Sequence, residues 1–170
     1  MRDELRWIKD VEPHRLAISA RPRGGQWLAG DISSWRTRGV DAVVSLIDAT
    51  EERDLELEHE AVLCRSAGME FVSFPIRDRG VPSSPDAAEA LVDWVISDLR
   101  RGLGVAIHCR FGIGRSGLIA ACVLHKLGHA QEKLFPILTR ARGIAVPDTE
   151  AQVQWVRRFA STATPTIVRS

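Results

Sequence analysis

The chain has 170 residues, 45% of them apolar and 26% charged, with a formal net charge of +1. That size and balance suit one domain spanning 1–170, with its core from about 14 to 160, which can fold without disulfides or a structural metal. The near-zero charge argues against nonspecific attraction to nucleic acid or an anionic membrane. The opening MRDELRWIKD lacks the apolar run of a signal peptide, and the longest apolar stretch, Leu118 to Leu124, is far short of the roughly 20 residues that cross a bilayer. Three irregularly spaced cysteines, Cys64, Cys109 and Cys122, match neither a disulfide framework nor a zinc site. A cytoplasmic monomer with no membrane or nucleic-acid partner is the expectation.

The first apolar, β-branched run is Leu16 to Ser19, and a second covers Ala42 to Ile47; both read as strands. Glu51 to Cys64 reads as helical, and Phe71 to Ile76 as a third strand. A long helix follows, with Ser84 as cap, Pro85 in the first position, and Leu91, Trp94, Val95 and Leu99 on one face. Val105 to His108 is a strand without polar alternation, as expected of a central strand covered on both sides. A helix from about Arg115 to Leu127 should stop at Gly128. Another, from Ala130 to Arg142, contains Pro136, which costs roughly 3 kcal/mol inside a straight helix and predicts a kink or break there. Thr149 and Gln152 have the spacing of a capping box that starts a last helix. The order of elements implies an α/β fold, a mainly parallel central sheet flanked by helices.

The string VAIHCRFGIGRSG, residues 105–117, runs from a buried strand through a glycine-containing loop into a helix start. Gly112 and Gly114 are suited to positive φ, which turns backbone N–H groups inward, and a helix N-terminus aimed at the same point completes an anion site. Cys109 opens the loop and Arg115 closes it. A free thiol ionises near pH 8.5, but a helix N-terminus with nearby positive charge lowers this to about 3.5 to 7.5, giving a thiolate that can attack phosphorus. Arg115 can hold two phosphate oxygens at once.

His108, Cys109, five residues, Arg115 and Ser116 resemble the phosphate-binding signature of the protein tyrosine phosphatase superfamily. FPIRDRGVP, with Pro75, Ile76, Asp78, Gly80 and Pro82, resembles the acid loop of its dual-specificity branch, nearest to the cyclin-dependent kinase-associated and Cdc14-type phosphatases. The resemblance implies a cysteine-dependent fold and a role for each matching residue. Cys109 would carry a cysteinyl-phosphate, Arg115 would bind phosphate, and Asp78 would protonate the leaving group and then activate water. Ser116 would assist departure of the thiolate, and His108 would orient the loop and favour ionisation of the cysteine. Arg110, Phe111, Gly112, Ile113 and Gly114 would lend backbone N–H groups to the phosphate. No metal or cofactor is implied. The substrate would be a phosphorylated protein, with phosphotyrosine first and phosphoserine or phosphothreonine also open.

A phosphoinositide or other small phosphoester is the alternative, against which the loop carries no lysine. A phosphate-binding module without turnover is another, against which Cys109, Asp78 and Arg115 occur together. Some relatives carry a water-positioning Gln just before Thr149, where this chain has Asp148, with Gln152 further on. Asp86 and Asp148 are reserve acids. Cys64 and Cys122 read as core residues, either of which could pair with Cys109 on oxidation. Arg77, Arg79, Arg140 and Arg142 read as a solvated face, and His14, His59, His125 and His129 as surface or packing residues.

Overall fold

The computed structural model describes residues 4–165. Five strands form one sheet: β1 (Arg6–Trp7), β2 (Arg15–Ala20), β3 (Ala42–Ser45), β4 (Glu70–Ser73) and β5 (Gly104–Cys109). Their spatial order is β1-β2-β5-β3-β4, with β1 antiparallel and every other pairing parallel. β3 and β5 are buried at every position, so the two runs without polar alternation are the central strands. The mainly parallel α/β sheet is thus the one expected. β1 was absent from the expectation because two residues carry no periodicity to read.

Among the described residues, seven α-helices cover the sheet: α1 (Leu28–Thr37), α2 (Ala49–Asp54), α3 (Glu60–Ser66), α4 (Pro85–Arg100), α5 (Arg115–Lys126), α6 (Leu134–Arg142) and α7 (Glu150–Thr162). Alternate strand residues divide the core into two layers. Ala17, Val43 and Ala106 pack with Leu28, Ile32 and Trp35 of α1 and Cys64 of α3 on one face. Ile18, Val44 and Ile107 pack against α4, α5, α6 and α7 on the other. α5 is buried along its whole length, as a helix enclosed by three others and a sheet must be.

The structure refines one expectation, corrects another and adds a helix. Glu51 to Cys64 is two helices, because the chain turns at Leu55–His59 with Glu56 at φ 55° and the Leu57 side chain driven into the core. Asp48 starts the first of them through a capping box with Glu51. Pro136 neither kinks nor breaks a helix: a short 3-10 turn at Gln131–Lys133 precedes α6, and Pro136 is its third residue, where an N–H has no intrahelical acceptor. α1 was not foreseen, although Leu28, Ile32 and Trp35 fall on one helical face. The caps at Ser84 and Thr149 and the left-handed Gly128 stand where expected.

Ile107 is fully buried in β5, so Ile107→Ala should lower stability by about 2–5 kcal/mol through lost burial and a cavity. Urea denaturation should show a lower midpoint at an unchanged slope; a cost under about 1 kcal/mol would contradict a close-packed centre at this strand.

Candidate active site

β5 ends at Cys109 and α5 begins at Arg115, so the intervening five residues bridge a central strand and a buried helix at the carboxyl edge of the sheet, where open α/β sheets place their ligands. The two glycines serve different ends. Gly112 has φ 69°, and a Cβ there would stand 2.5 Å from Ser19 C and Ala20 N, so both its conformation and its closeness to β2 require glycine. Gly114, contrary to expectation, has φ −77°. Its need is space, because a Cβ would lie 2.8 Å from Oδ2 of Asp148 and 2.9 Å from Nε2 of Gln152.

Sγ of Cys109 and Oγ of Ser116 are within hydrogen-bond reach at 3.4 Å, both residues buried. Arg115 is 2% exposed. Nη1 donates to Oε2 of Glu51 at 2.6 Å and to the Ile76 carbonyl at 2.9 Å, while Nη2 donates to Oε1 of Glu51 at 2.9 Å and to Oδ1 of Asp78 at 3.1 Å. Burial works to lower the affinity of Arg115 for its proton, but the Glu51 hydrogen bonds and the charges of Cys109, Glu51 and Asp78 outweigh it and raise the pKa. The guanidinium Nε–H makes no hydrogen bond among the described residues and remains available to an anion.

Asp78 lies on the loop after β4 with its side chain 45% exposed, in a turn closed by the Gly80 N–H donating to the Arg77 carbonyl at 2.8 Å. Gln152, fully buried, accepts from the N–H groups of Asp148 and Thr149 and donates to the Gly80 carbonyl at 3.1 Å, which ties α7 to that loop. Its amide is thereby committed on both sides. Asp86 sits in the first turn of α4 and is exposed.

His108 donates or accepts through Nε2 to Oε1 of Glu60 at 2.7 Å, both side chains buried, with the Trp35 ring edge-on at 5.7 Å. Phe111 is 56% exposed and lies under the guanidinium of Arg110 at 5.4 Å, so it faces outward.

Arg142 is not on a solvated face. Its Nε donates to the Gly112 carbonyl and its Nη2 to the Phe111 carbonyl, each at 3.0 Å, with Glu4 at 2.6 Å beside them. Because a trans peptide points its N–H opposite its C=O, holding these two carbonyls outward turns the N–H groups of Gly112 and Ile113 the other way. Arg140 pairs with Asp10 at 2.7 Å, while Arg77 and Arg79 are exposed. The sequence reading missed Glu51, Glu60 and Arg142. Asp48-x-x-Glu51 carried a capping signal for Glu51, but nothing in the linear pattern placed the other two against the loop.

This sheet order, with a Cys-x5-Arg loop between its central strand and its buried helix, places the chain in the protein tyrosine phosphatase superfamily, on the dual-specificity branch. Residues 19–129, well over half of the chain, match the family described as Tc-R-P, polymorphic toxin system, DSP-PTPase phosphatase, and the chain belongs to that family. The 067L protein of Invertebrate iridescent virus 3, named as a tyrosine phosphatase, is 36% identical over 89 residues, 48% of this chain and 34% of that protein. Protein tyrosine phosphatase domain-containing protein 1 of Danio rerio is 27% identical over 167 residues, covering 94% of this chain and 23% of its own length. The chain therefore spans about a third or less of these relatives. The solved structure of kinase associated phosphatase, with its catalytic cysteine replaced by serine, has the same fold at a TM-score of 0.84 and 20% identity, covering 94% of this chain and 97% of that one.

Glu51→Gln keeps the shape of the side chain and removes the charge that answers a buried cation. A stability loss on the order of 3 kcal/mol is expected, since breaking a buried pair leaves its partner uncompensated. Chemical denaturation of the variant beside an exposed control, Glu58→Gln, measures it; equal midpoints would mean that Arg115 does not depend on Glu51.

Proposed function

We propose that the chain is a phosphatase that hydrolyses phosphoprotein monoesters, phosphotyrosine first, through a cysteinyl-phosphate on Cys109. One observation carries the reading: a cysteine sulfur, a hydroxyl, a guanidinium and an exposed carboxylate converge on a single strand-to-helix turn.

The phosphate of the substrate sits in the loop, against the N–H groups of Arg110 to Gly114 and the free Nε–H of Arg115. Its oxygens replace Asp78 on Nη2, giving a two-point contact with the guanidinium. The Cys109 thiolate attacks phosphorus, forming an S–P bond as the ester P–O bond breaks, and Asp78 gives its proton to the leaving oxygen. Asp78, now a carboxylate, takes a proton from water as that water attacks phosphorus and the S–P bond breaks, releasing phosphate. Ser116 donates its hydroxyl hydrogen to the sulfur as the thiolate returns. His108, held by Glu60, braces the first residue of the loop. Arg142 keeps the loop amides turned inward.

The matched family supplies a setting, a phosphatase of a polymorphic toxin system, and the chemistry proposed for the site is that of such a phosphatase. An exposed acid beside the guanidinium suits turnover, and a module that only binds phosphate has no need of one.

Hydrolysis of p-nitrophenyl phosphate tests the reading. Cys109→Ser should abolish turnover, Asp78→Asn should lower kcat by about 10²-fold or more, and vanadate should inhibit the wild type. Turnover retained by the serine variant would end the covalent mechanism. A second measurement concerns the other thiols. Burial pushes Cys64 up to about 12 and pushes Cys122 up as well, so both stay protonated at neutral pH, and both are fully buried. Iodoacetate near neutral pH should therefore alkylate the native protein at Cys109 alone, as read by peptide mass spectrometry; prompt labelling of Cys64 or Cys122 contradicts it.

A further inference from the structure

Beside the loop, on its β2 side, lies a groove of about 640 Å³, within the roughly 300–1,000 Å³ of sites that hold small ligands or short segments. Arg110 and Phe111 of the loop form one wall, and Arg21, Pro22, Arg23 and Trp35 contribute to the rest. It adjoins the proposed phosphate site, because Arg110 follows Cys109 directly and the Arg21 N–H donates to the Arg110 carbonyl at 3.4 Å.

The charges in the groove do not cancel. Asp31 is held by Arg23 at 2.6 Å, and Glu4 by Arg142 at 2.6 Å, so both acids on its wall are answered. Arg21 and Arg110 have no carboxylate partner among the described residues: Arg21 donates only to the adjacent Pro22 carbonyl at 2.9 Å, and Arg110 rests on the Phe111 ring. Two unanswered guanidinium groups thus face a lining that is otherwise mainly apolar, with an exposed aromatic ring at its edge. An inositol polyphosphate would set hydroxyls and several phosphates against that apolar wall, leaving polar groups unsatisfied. A peptide segment, with one acidic side chain for the arginines and an apolar one for the ring, complements it.

Resting on the phosphatase reading above, we infer that this groove is a substrate subsite: it takes the peptide segment flanking the phosphorylated residue and selects an acidic side chain there. Arg21 is its specificity residue.

The test uses the full chain and phosphotyrosine peptides whose flanking positions are all Glu, all Ala or all Lys. In the Cys109→Ser background, fluorescence anisotropy should show the Glu peptide binding about tenfold tighter than the Ala peptide, the size expected of two partly shielded charges, and the Lys peptide weakest. Arg21→Glu added to that background should remove or reverse the order, and Ser34→Glu, which places a negative charge in the same groove, should weaken it. In the active chain, Arg21→Glu should leave p-nitrophenyl phosphate turnover unchanged while kcat/KM for the Glu peptide falls about tenfold. Equal binding of the three peptides, a preference that survives Arg21→Glu, or an Arg21 dependence seen with soluble inositol phosphates and not with peptides would each overturn the subsite. Absence of p-nitrophenyl phosphate turnover in the wild type would end the enzymatic reading separately, and the binding comparison would still decide the groove.

Discussion

A guanidinium stays charged at any pH at which a protein folds, and Arg115 is buried almost completely at the first turn of α5. Taking such an ion out of water costs several kcal/mol unless its hydrogens find acceptors. Glu51 supplies two, and the carbonyls of Leu46 and Ile76 supply more. Each of these acceptors belongs to a segment that leaves the carboxyl end of a neighbouring strand. Solvating one cation therefore ties the start of α2 to the turns by which the chain leaves β3 and β4. Glu51 answers two demands at once, since its carboxylate also accepts from the Asp48 N–H at the start of its own helix.

The strand order explains why one loop can collect so many partners. β5 lies between β2 and β3, so its end is flanked on both sides by other chain segments. From the β3 and β4 side come α2 and the Asp78 loop; from the β2 side come residues 19–23 and the groove. α7 closes over the top through Gln152 and Asp148, and α6 reaches the outer face of the loop with Arg142. Residues 30 to 64 positions apart in the chain are thus held at hydrogen-bond distances of 2.9 to 3.0 Å.

What was legible in the sequence was local. The buried run at Val105 to His108, the cap at Ser84, the capping box at Thr149 and Gln152, and the stop at Gly128 each rest on residues within a few positions of one another, and each reads directly. The Cys-x5-Arg loop is of the same kind, because both ends belong to one turn. What could not be read depends on sequence-distant neighbours. Gly114 looked like a residue chosen for positive φ, when its reason is the side chains of Asp148 and Gln152 above it. Arg142 looked solvated because its partners are backbone carbonyls, which leave no mark in a sequence. Glu60 reaches His108 across 48 positions. The break between α2 and α3 escaped notice because Glu56, in a left-handed conformation, is neither Gly nor Asn, the usual flags for it.

The contact between Asp78 and Arg115 bears on the proposed cycle. One oxygen of an exposed carboxylate holds one guanidinium hydrogen, while the Nε–H beside it makes no bond among the described residues. A phosphate offers oxygens to both hydrogens together and carries more charge than a carboxylate, so it can take this edge of Arg115 where another carboxylate would merely exchange with Asp78. In the proposed cycle, displacing Asp78 frees its carboxyl group at the moment of binding. Arg115 would thus serve the acid and the phosphate in turn through the same edge.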